Sequence, residues 1–434
     1  MEVVNFNILL NLDYNDVINA CKASAMFFRV CKTPYFWAEK SFRDFGVPIN
    51  ELKLFPGANN KAHYEFLYNL NDPEERLIEA AKYGSLGLVK YLVEKGVDIN
   101  ANVGDVEDNE DNEDYEDALG VASEEGHLKV VKYLVEQGAD IHAYYENALR
   151  SAAGKGHLEI VKYLVELGAN LHDVNEWALI WAADNGHLNV VKYLVEQGAD
   201  LHADNEEALI CAANNGHLEV VKYLVKQGAD IHAKDEWALR WAAINGHLNV
   251  VKYLVEQGAN FHANNEEALI YAAKYGSLEV VKYLVEQGAN LHARDEYALR
   301  WAAENGHLNV VKYLVEQGAN LHANNEYALR FAAWNGHLNV VKYLVEQGAD
   351  LHANNEATLK NAASNGHLGV VKYLVEQGTN IHVRDEEALR SASSHGHLKV
   401  VKYLVEQGAS PKVILDNLEE YSKRSYSISK TSFL

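Results

Sequence analysis

The stretch Leu308–Gly318 reads LNVVKYLVEQG, and how it is read decides the fold. Leu308, Val310, Val311, Leu314 and Val315 fall on one stripe at helical spacing, so the stretch predicts an amphipathic helix that Gly318 ends. Before it stands EYALRWAAENGH (Glu296–His307), where Ala and Leu again recur at helical spacing and Gly306 supplies the break. After it comes ANLHANN (Ala319–Asn325), a short polar connector. Glu296–Asn325 is therefore helix, tight turn, helix and connector. Asp295 precedes the first helix, and Asn175, Asn205, Asp235, Asn265, Asn325, Asn355 and Asp385 hold the same place elsewhere. A short oxygen-bearing side chain there is expected to cap the helix, with the following Glu on the positive end of its dipole.

The unit is repeated in tandem. VKYLV occurs eleven times, and the last ten copies, Val131 to Val401, are thirty residues apart. Regular units begin at Glu116, Glu146, Glu176 and so on to Glu386, after a divergent one at Glu74. Two such helices cannot bury their apolar faces alone, but stacked pairs share a continuous core, so residues 74–410 predict an all-α stack of about eleven hairpins.

The wording AAENGHLNVVKYLVEQGANLHA (Ala302–Ala323) resembles the ankyrin repeat: an Ala-Ala pair, Gly-His, a Val/Leu-rich helix, then Gly-Ala-Asn. The resemblance implies an ankyrin-repeat solenoid, and with it a monomeric scaffold for protein partners. Two departures stand out. The units have thirty residues in place of the family's usual 33 and open Glu-x-Ala-Leu in place of Thr-Pro-Leu-His, and all five prolines (Pro34, Pro48, Pro56, Pro73, Pro411) lie outside the regular units. The shortening falls in the connector, so the projecting β-turn should be reduced and contacts should shift to the first helix. Near-identical thirty-residue units of this kind most resemble the ankyrin proteins of giant DNA viruses that infect amoebae.

Composition excludes several classes of function. The chain has 62 acids against 39 bases, a formal charge of −23, and no cluster of Lys and Arg suited to phosphate backbones or anionic membranes. No apolar run is long enough to span a bilayer, and MEVVNFNILLNLDYND lacks the pattern of a secretory signal. Cys21, Cys31 and Cys211 include no CxxC pair, which argues against a disulfide framework and structural zinc and suits an intracellular, cytoplasmic protein. Eighteen of the twenty histidines occupy two repeated places, after the glycine and in the connector. Copies one helix-packing distance apart cannot share a metal, so hydrogen bonding in turns is the expected role. No nucleophile–base pair, phosphate loop or cofactor motif is present: no catalytic residue, metal or cofactor is expected.

Variation among the units gathers in the first helix, at its second, fifth, sixth and ninth places. The second and sixth lie one turn apart on one face. They hold Trp177 with Trp181, Trp237 with Trp241, Glu267 with Tyr271, Tyr297 with Trp301 and Tyr327 with Phe331, and Trp334 stands at a ninth place. Large aromatics there suit a protein-binding concave face. They equally suit stacking between neighbouring units, and the near-alternation over sixty residues fits duplication of unit pairs. At the fifth place Arg150, Arg240, Arg300, Arg330 and Arg390 each follow a Glu by four residues, the favourable order for a helix-surface ion pair.

Outside the units, NVGDVEDNEDNEDY (102–115) carries seven acids and no base, which marks a solvated insertion; the only glycine, Gly104, precedes the acids, so the frame of a calcium loop does not fit. Residues 1–73 lack the repeat, and their apolar positions (Leu9, Leu10, Leu12, Val17, Ile18, Cys21, Phe27, Phe28, Val30, Cys31, Phe36, Trp37, Phe42) predict a small helical domain with the cysteines in its core. The order Ile8-Leu9-x-x-Leu12, Asp16-Val17, Phe28-x-Val30-Cys31, Phe36-Trp37 is similar to the F-box, without that family's opening Leu-Pro. That resemblance implies a ubiquitin-ligase adaptor as a partner, met through Leu9, Leu10, Leu12, Val17 and Trp37; the alternative is an N-terminal cap for the stack. Ser410-Pro411 opens a possible final capping helix in 411–434, followed by a tail expected to be disordered.

Overall fold

A computed structural model describes residues 6–7, 9–56, 59–70, 72–102 and 116–414. The acidic insertion beyond Asn102 and the chain beyond residue 414 lie outside the described residues, as do the expected loop and tail; residues 412–414, at the start of the expected final helix, are helical. Among the described residues the fold is all-α; an isolated antiparallel bridge joins Asn102 to Asp117, at the two ends of the insertion. The chain divides into two bodies, residues 1–212 with 219–229 and residues 213–218 with 230–434. The first holds the head and the earlier hairpins, the second the later hairpins.

Each regular hairpin pairs a first helix such as Ala293–Glu304 with a second such as Leu308–Glu316. In the first helix, Ala298, Leu299, Ala302 and Ala303 are at most 1% exposed. Small side chains let first helices of adjacent hairpins approach closely, while second helices touch each other at fewer points. In the second helix Val310, Val311 and Leu314 are buried, but Leu308, Tyr313 and Val315 are only half-buried, and Lys312 is exposed. VKYLV is thus not wholly core. Lys312 Nζ sits 5.6 Å from the ring centre of Tyr343 in the next hairpin, and Lys342 stands likewise over Tyr373 and Lys372 over Tyr403. Long side chains bridge the wider gap between second helices with a cation–π ladder. Where the second place of that helix is Glu, the lysine turns to it: Lys282 bonds Glu279 and Lys162 bonds Glu159, at 2.8 and 2.9 Å.

The connector differs from expectation. The Asn or Asp before each regular unit does not cap a helix. Asn324, Asn325 and Glu326 have φ of 51°, 55° and 58°, one left-handed turn that recurs in each regular connector from residue 144 to residue 386. The middle residue of that turn is Asn or Asp in every copy except Tyr145, because these side chains tolerate left-handed backbone better than other non-glycine residues. Among the described residues, true caps of the expected kind occur in the first two hairpins, where Asp72 accepts from Glu74 N and Asp117 from Gly120 N. In the connector, Asn320 Oδ1 accepts from His322 N at 3.0 Å, and His322 Nδ1 donates to Glu326 Oε1 at 2.5 Å across the turn. The same imidazole–carboxylate bond joins His232 to Glu236 at 2.6 Å and His352 to Glu356 at 2.7 Å, each Glu being buried. It draws His232 above its ordinary value of 6.5.

The second histidine ladder runs between hairpins. His337 Nε2 donates to Glu304 O at 2.9 Å and His307 Nε2 to Lys274 O at 2.8 Å, while in the first body His157 bonds Glu124 O at 2.7 Å. The ring lies over the glycine of the preceding hairpin: a Cβ on Gly306 would fall 2.6 Å from His337 Nδ1, and Gly306 also has φ of +79°. Burial lowers the pKa of His337. Both repeated histidine places are thereby occupied by turn and inter-hairpin hydrogen bonds.

The head folds as helices Tyr14–Ala23, Ala25–Cys31, Pro34–Phe45 and Asn60–Asn69, with a short 3-10 turn at Leu52–Leu54. Leu9, Leu10, Val17, Phe36, Trp37, Tyr64 and Leu67 form its core, and the fully buried Lys40 donates to Leu12 O at 2.6 Å and pairs with Asp44 at 2.7 Å. Two apolar residues expected inside are outside, Phe28 at 48% and Phe42 at 53% exposure. A disulfide joins Cys21 to Cys31, Cα atoms 6.3 Å apart, which corrects the reading of both as free core thiols. Two consecutive short helices bring them within bridging range, a proximity that a sequence separation of 10 does not disclose.

The head also closes the first hairpin. There the residue after the glycine is Ser85, and Glu51 Oε2 accepts from Ser85 Oγ at 2.7 Å and from Gly87 N at 2.9 Å. Gly46 lies against the Tyr91 ring and Pro48 against Gly87, where a preceding hairpin would otherwise pack. Phe55 and Phe66 meet Tyr83 edge-on.

Candidate protein-binding face

Because Ala, Leu, Ala and Ala of each first helix face inward, its second, sixth and ninth places must face out. In the second body these carry Trp237, Trp241 and Trp334 at 37%, 39% and 43% exposure, whereas Tyr271, Tyr297, Trp301, Tyr327 and Phe331 are half-buried. The half-buried set packs on itself and on cations. Tyr327 stacks on Phe331 at 3.9 Å, and its hydroxyl donates to Glu304 at 3.0 Å. The Arg300 guanidinium lies between Tyr297 and Tyr327, 4.5 and 3.9 Å from their ring centres, and Lys274 stands 4.0 Å from that of Trp301. In the first body Trp177 and Trp181 stack at 6.4 Å with Arg150 over both rings. The ring stacks thus lie within one helix, the neighbouring hairpin is met through the cations Arg150, Lys274 and Arg300, and four tryptophans (Trp181, Trp237, Trp241, Trp334) keep a large open surface.

The fifth-place arginines do not form the expected pairs with the Glu four residues earlier, because that carboxylate belongs to the connector histidine. Arg330 donates instead to Asn325 O at 2.7 Å and Asn324 O at 3.1 Å, and Arg390 to Arg384 O at 2.8 Å, so these arginines close the left-handed turn. Arg240 reaches the next hairpin and pairs with Glu267 at 2.6 Å. Spacing alone could not show this, since the competing histidine is four residues before the same Glu.

In the first body the units at Glu116 and Glu146 have small outward residues. Gly120, Ser151 and Gly154 floor a groove of about 320 Å³ whose wall is Trp181, and Lys155 pairs with Glu124 at its edge at 3.0 Å. Asp117 is buried beside it, and that burial raises its carboxyl pKa. Sequence reasoning missed this groove because it looked for large residues, while the signal is their absence from two adjacent units. Cys211 is half-buried, and burial with the nearby Glu207 pushes its thiol to about 12, so it stays protonated at neutral pH. Among the described residues no three His, Cys, Asp or Glu side chains gather as a metal site, and no helix is long and apolar enough to cross a membrane.

Of the residues expected to meet a ligase adaptor, Leu9, Leu10, Val17 and Trp37 are packed inside the head, at 4% exposure or less, and only Leu12 is half-buried. Trp37 Nε1 is also engaged internally, donating to Cys31 O at 2.7 Å.

The model of ankyrin repeats, three copies to a match, fits residues 77–175, 170–235, 236–295, 293–355 and 351–414. The chain belongs to the ankyrin-repeat family. No curated protein matches it as a relative. Ankyrin membership explains the constant letters physically. Ala-Ala sets the close approach of first helices, glycine clears room for the next hairpin's histidine, and that histidine ties the two hairpins together. An ankyrin solenoid offers an extended surface to proteins, and the chain is a protein-interaction scaffold of that kind.

Proposed function

We propose that the ankyrin solenoid binds a protein target through the outward face of its first helices. The observation that supports this is the placing of large aromatics: nearly constant hairpins carry Trp181, Trp237, Trp241 and Trp334 at variable outward places, each more than a third exposed. Partly exposed tryptophans of this kind are the anchors that dominate binding energy in protein interfaces. The resemblance to giant-virus ankyrin proteins would make the target a host protein. Capture of partners by full-length protein, compared with the Trp237→Ala/Trp241→Ala variant, tests the reading. Loss of the captured protein with folding intact supports it, and undiminished capture sinks it.

The head would recruit a ubiquitin-ligase adaptor on the F-box resemblance, whose support is the sequence pattern. The second reading makes the head an end cap with no ligase link. The bonds from Glu51 to Ser85 and Gly87, and the burial of Leu9, Leu10, Val17 and Trp37, favour it. Mixing the full chain with a purified ligase adaptor separates them: a stable complex on gel filtration supports recruitment, and separate elution leaves the cap.

A further inference from the structure

The head holds a hollow of about 570 Å³ that neither the repeat face nor the cap contacts use. Its walls are apolar: Ile18, Phe28, Trp37 and the Cys21–Cys31 disulfide. Its charged residues are Lys22, Lys32 and Lys61, and no carboxylate lines it. Lys61 pairs with Glu65 at 2.9 Å while remaining 42% exposed. Lys22 and Lys32 have no carboxylate partner among the described residues; Lys32 Nζ instead stands 4.4 Å from the centre of the Phe28 ring. In a chain of net charge −23, three ammonium groups around one apolar hollow, two of them with no carboxylate partner among the described residues, form a local reversal of sign.

We propose that this hollow docks an acidic segment of a partner protein, with an apolar side chain of the segment against Phe28 and Ile18 and its carboxylates on Lys22, Lys32 and Lys61. The inference rests on the head alone and does not depend on the target-binding role of the repeats. Charge complementarity picks the occupant. A small anion would leave the apolar walls unused, and a phosphate backbone or anionic bilayer would be repelled by the rest of the chain. An acidic peptide with one anchor uses both walls and rim.

The test is fluorescence anisotropy of the full chain with a labelled ten-residue peptide, two central leucines flanked by glutamates, beside its glutamine counterpart. The expected result is binding of the glutamate peptide that weakens at least about tenfold in Lys22→Glu/Lys32→Glu and with rising salt. Phe28→Ala, at a half-exposed position, should weaken it as well. Lys53→Glu, at an exposed lysine of the head outside the hollow, should leave it unchanged. Circular dichroism of each variant checks that the head stays folded. Equal affinity for the glutamine peptide, indifference to Lys22→Glu/Lys32→Glu, or an equal loss with Lys53→Glu would overturn the proposal. So would tighter peptide binding by a chain lacking residues 103–115, which would assign the hollow to the chain's own acidic stretch, or capture of phosphatidylserine vesicles in place of the peptide.

Discussion

The two helices of one hairpin meet their neighbours differently. The first does so through alanine, with backbones close and no room for change at its inward places. The second does so through long side chains, Lys312 over Tyr343 and its copies, across a wider gap. The first helix consequently has one constant face and one unconstrained face. The second is held on both: Val310, Val311 and Leu314 inside, and an exposed lysine with a half-buried tyrosine on the other. That leaves the outward second, sixth and ninth places of the first helix free to vary in size.

The comparison breaks most strongly at Leu314, fully buried in the second helix. Leu314→Ala should cost about 3 kcal/mol in urea unfolding, whereas Trp241→Ala on the outward first-helix face should cost under about 1 kcal/mol. Equal losses would remove the distinction between the faces. Next come the glycines. Gly306→Ala must accept a positive φ and displace His337, an expected loss of about 2–3 kcal/mol, while Gly318, with φ of +97° and open space around it, should lose about 1–2 kcal/mol on the same change.

His232 and His337, one from each histidine place, should respond to pH with opposite sign. His232 is raised by its bond to Glu236, so its contribution is whole below pH 6.5 and fades as pH rises through the raised value. His337 is lowered by burial, so stability is lost as pH falls from 6.5, where the unfolded chain takes the proton first. Denaturant midpoints of His232→Gln should therefore lag wild type most at about pH 5, and those of His337→Gln most at about pH 8. Parallel profiles would contradict the assignment. The smallest effect belongs to the surface ladder: Lys312→Gln should cost about 0.5 kcal/mol, with little change for Lys282→Gln beyond its exposed bond to Glu279.

Much of this was legible in the sequence. The period, the stripe of Val310, Val311 and Leu314, the glycine stops and the outward places of Trp237 and Trp241 follow from spacing. The connector was not legible. Asn325 suits a helix cap and a left-handed turn alike, and only the backbone shows which. Once Glu326 turns inward to His322, Arg330 loses its expected partner and finds carbonyls instead, so one misread dihedral carried a second error with it. The Cys21–Cys31 bridge was hidden for the related reason that helix packing, not spacing, sets which thiols meet. In the first body the groove beside Trp181 is made by Gly120, Ser151 and Gly154, residues that carry no signal until their neighbours are placed.

The claim on which all of this rests is that a hairpin holds its shape through its neighbours. Native-state hydrogen exchange on Leu314→Ala in the full chain tests it most directly. The account predicts lost amide protection in Leu308–Glu316 and also in the flanking second helices Leu278–Glu286 and Leu338–Glu346. Loss confined to Leu308–Glu316, with the flanking helices at wild-type protection, would contradict it.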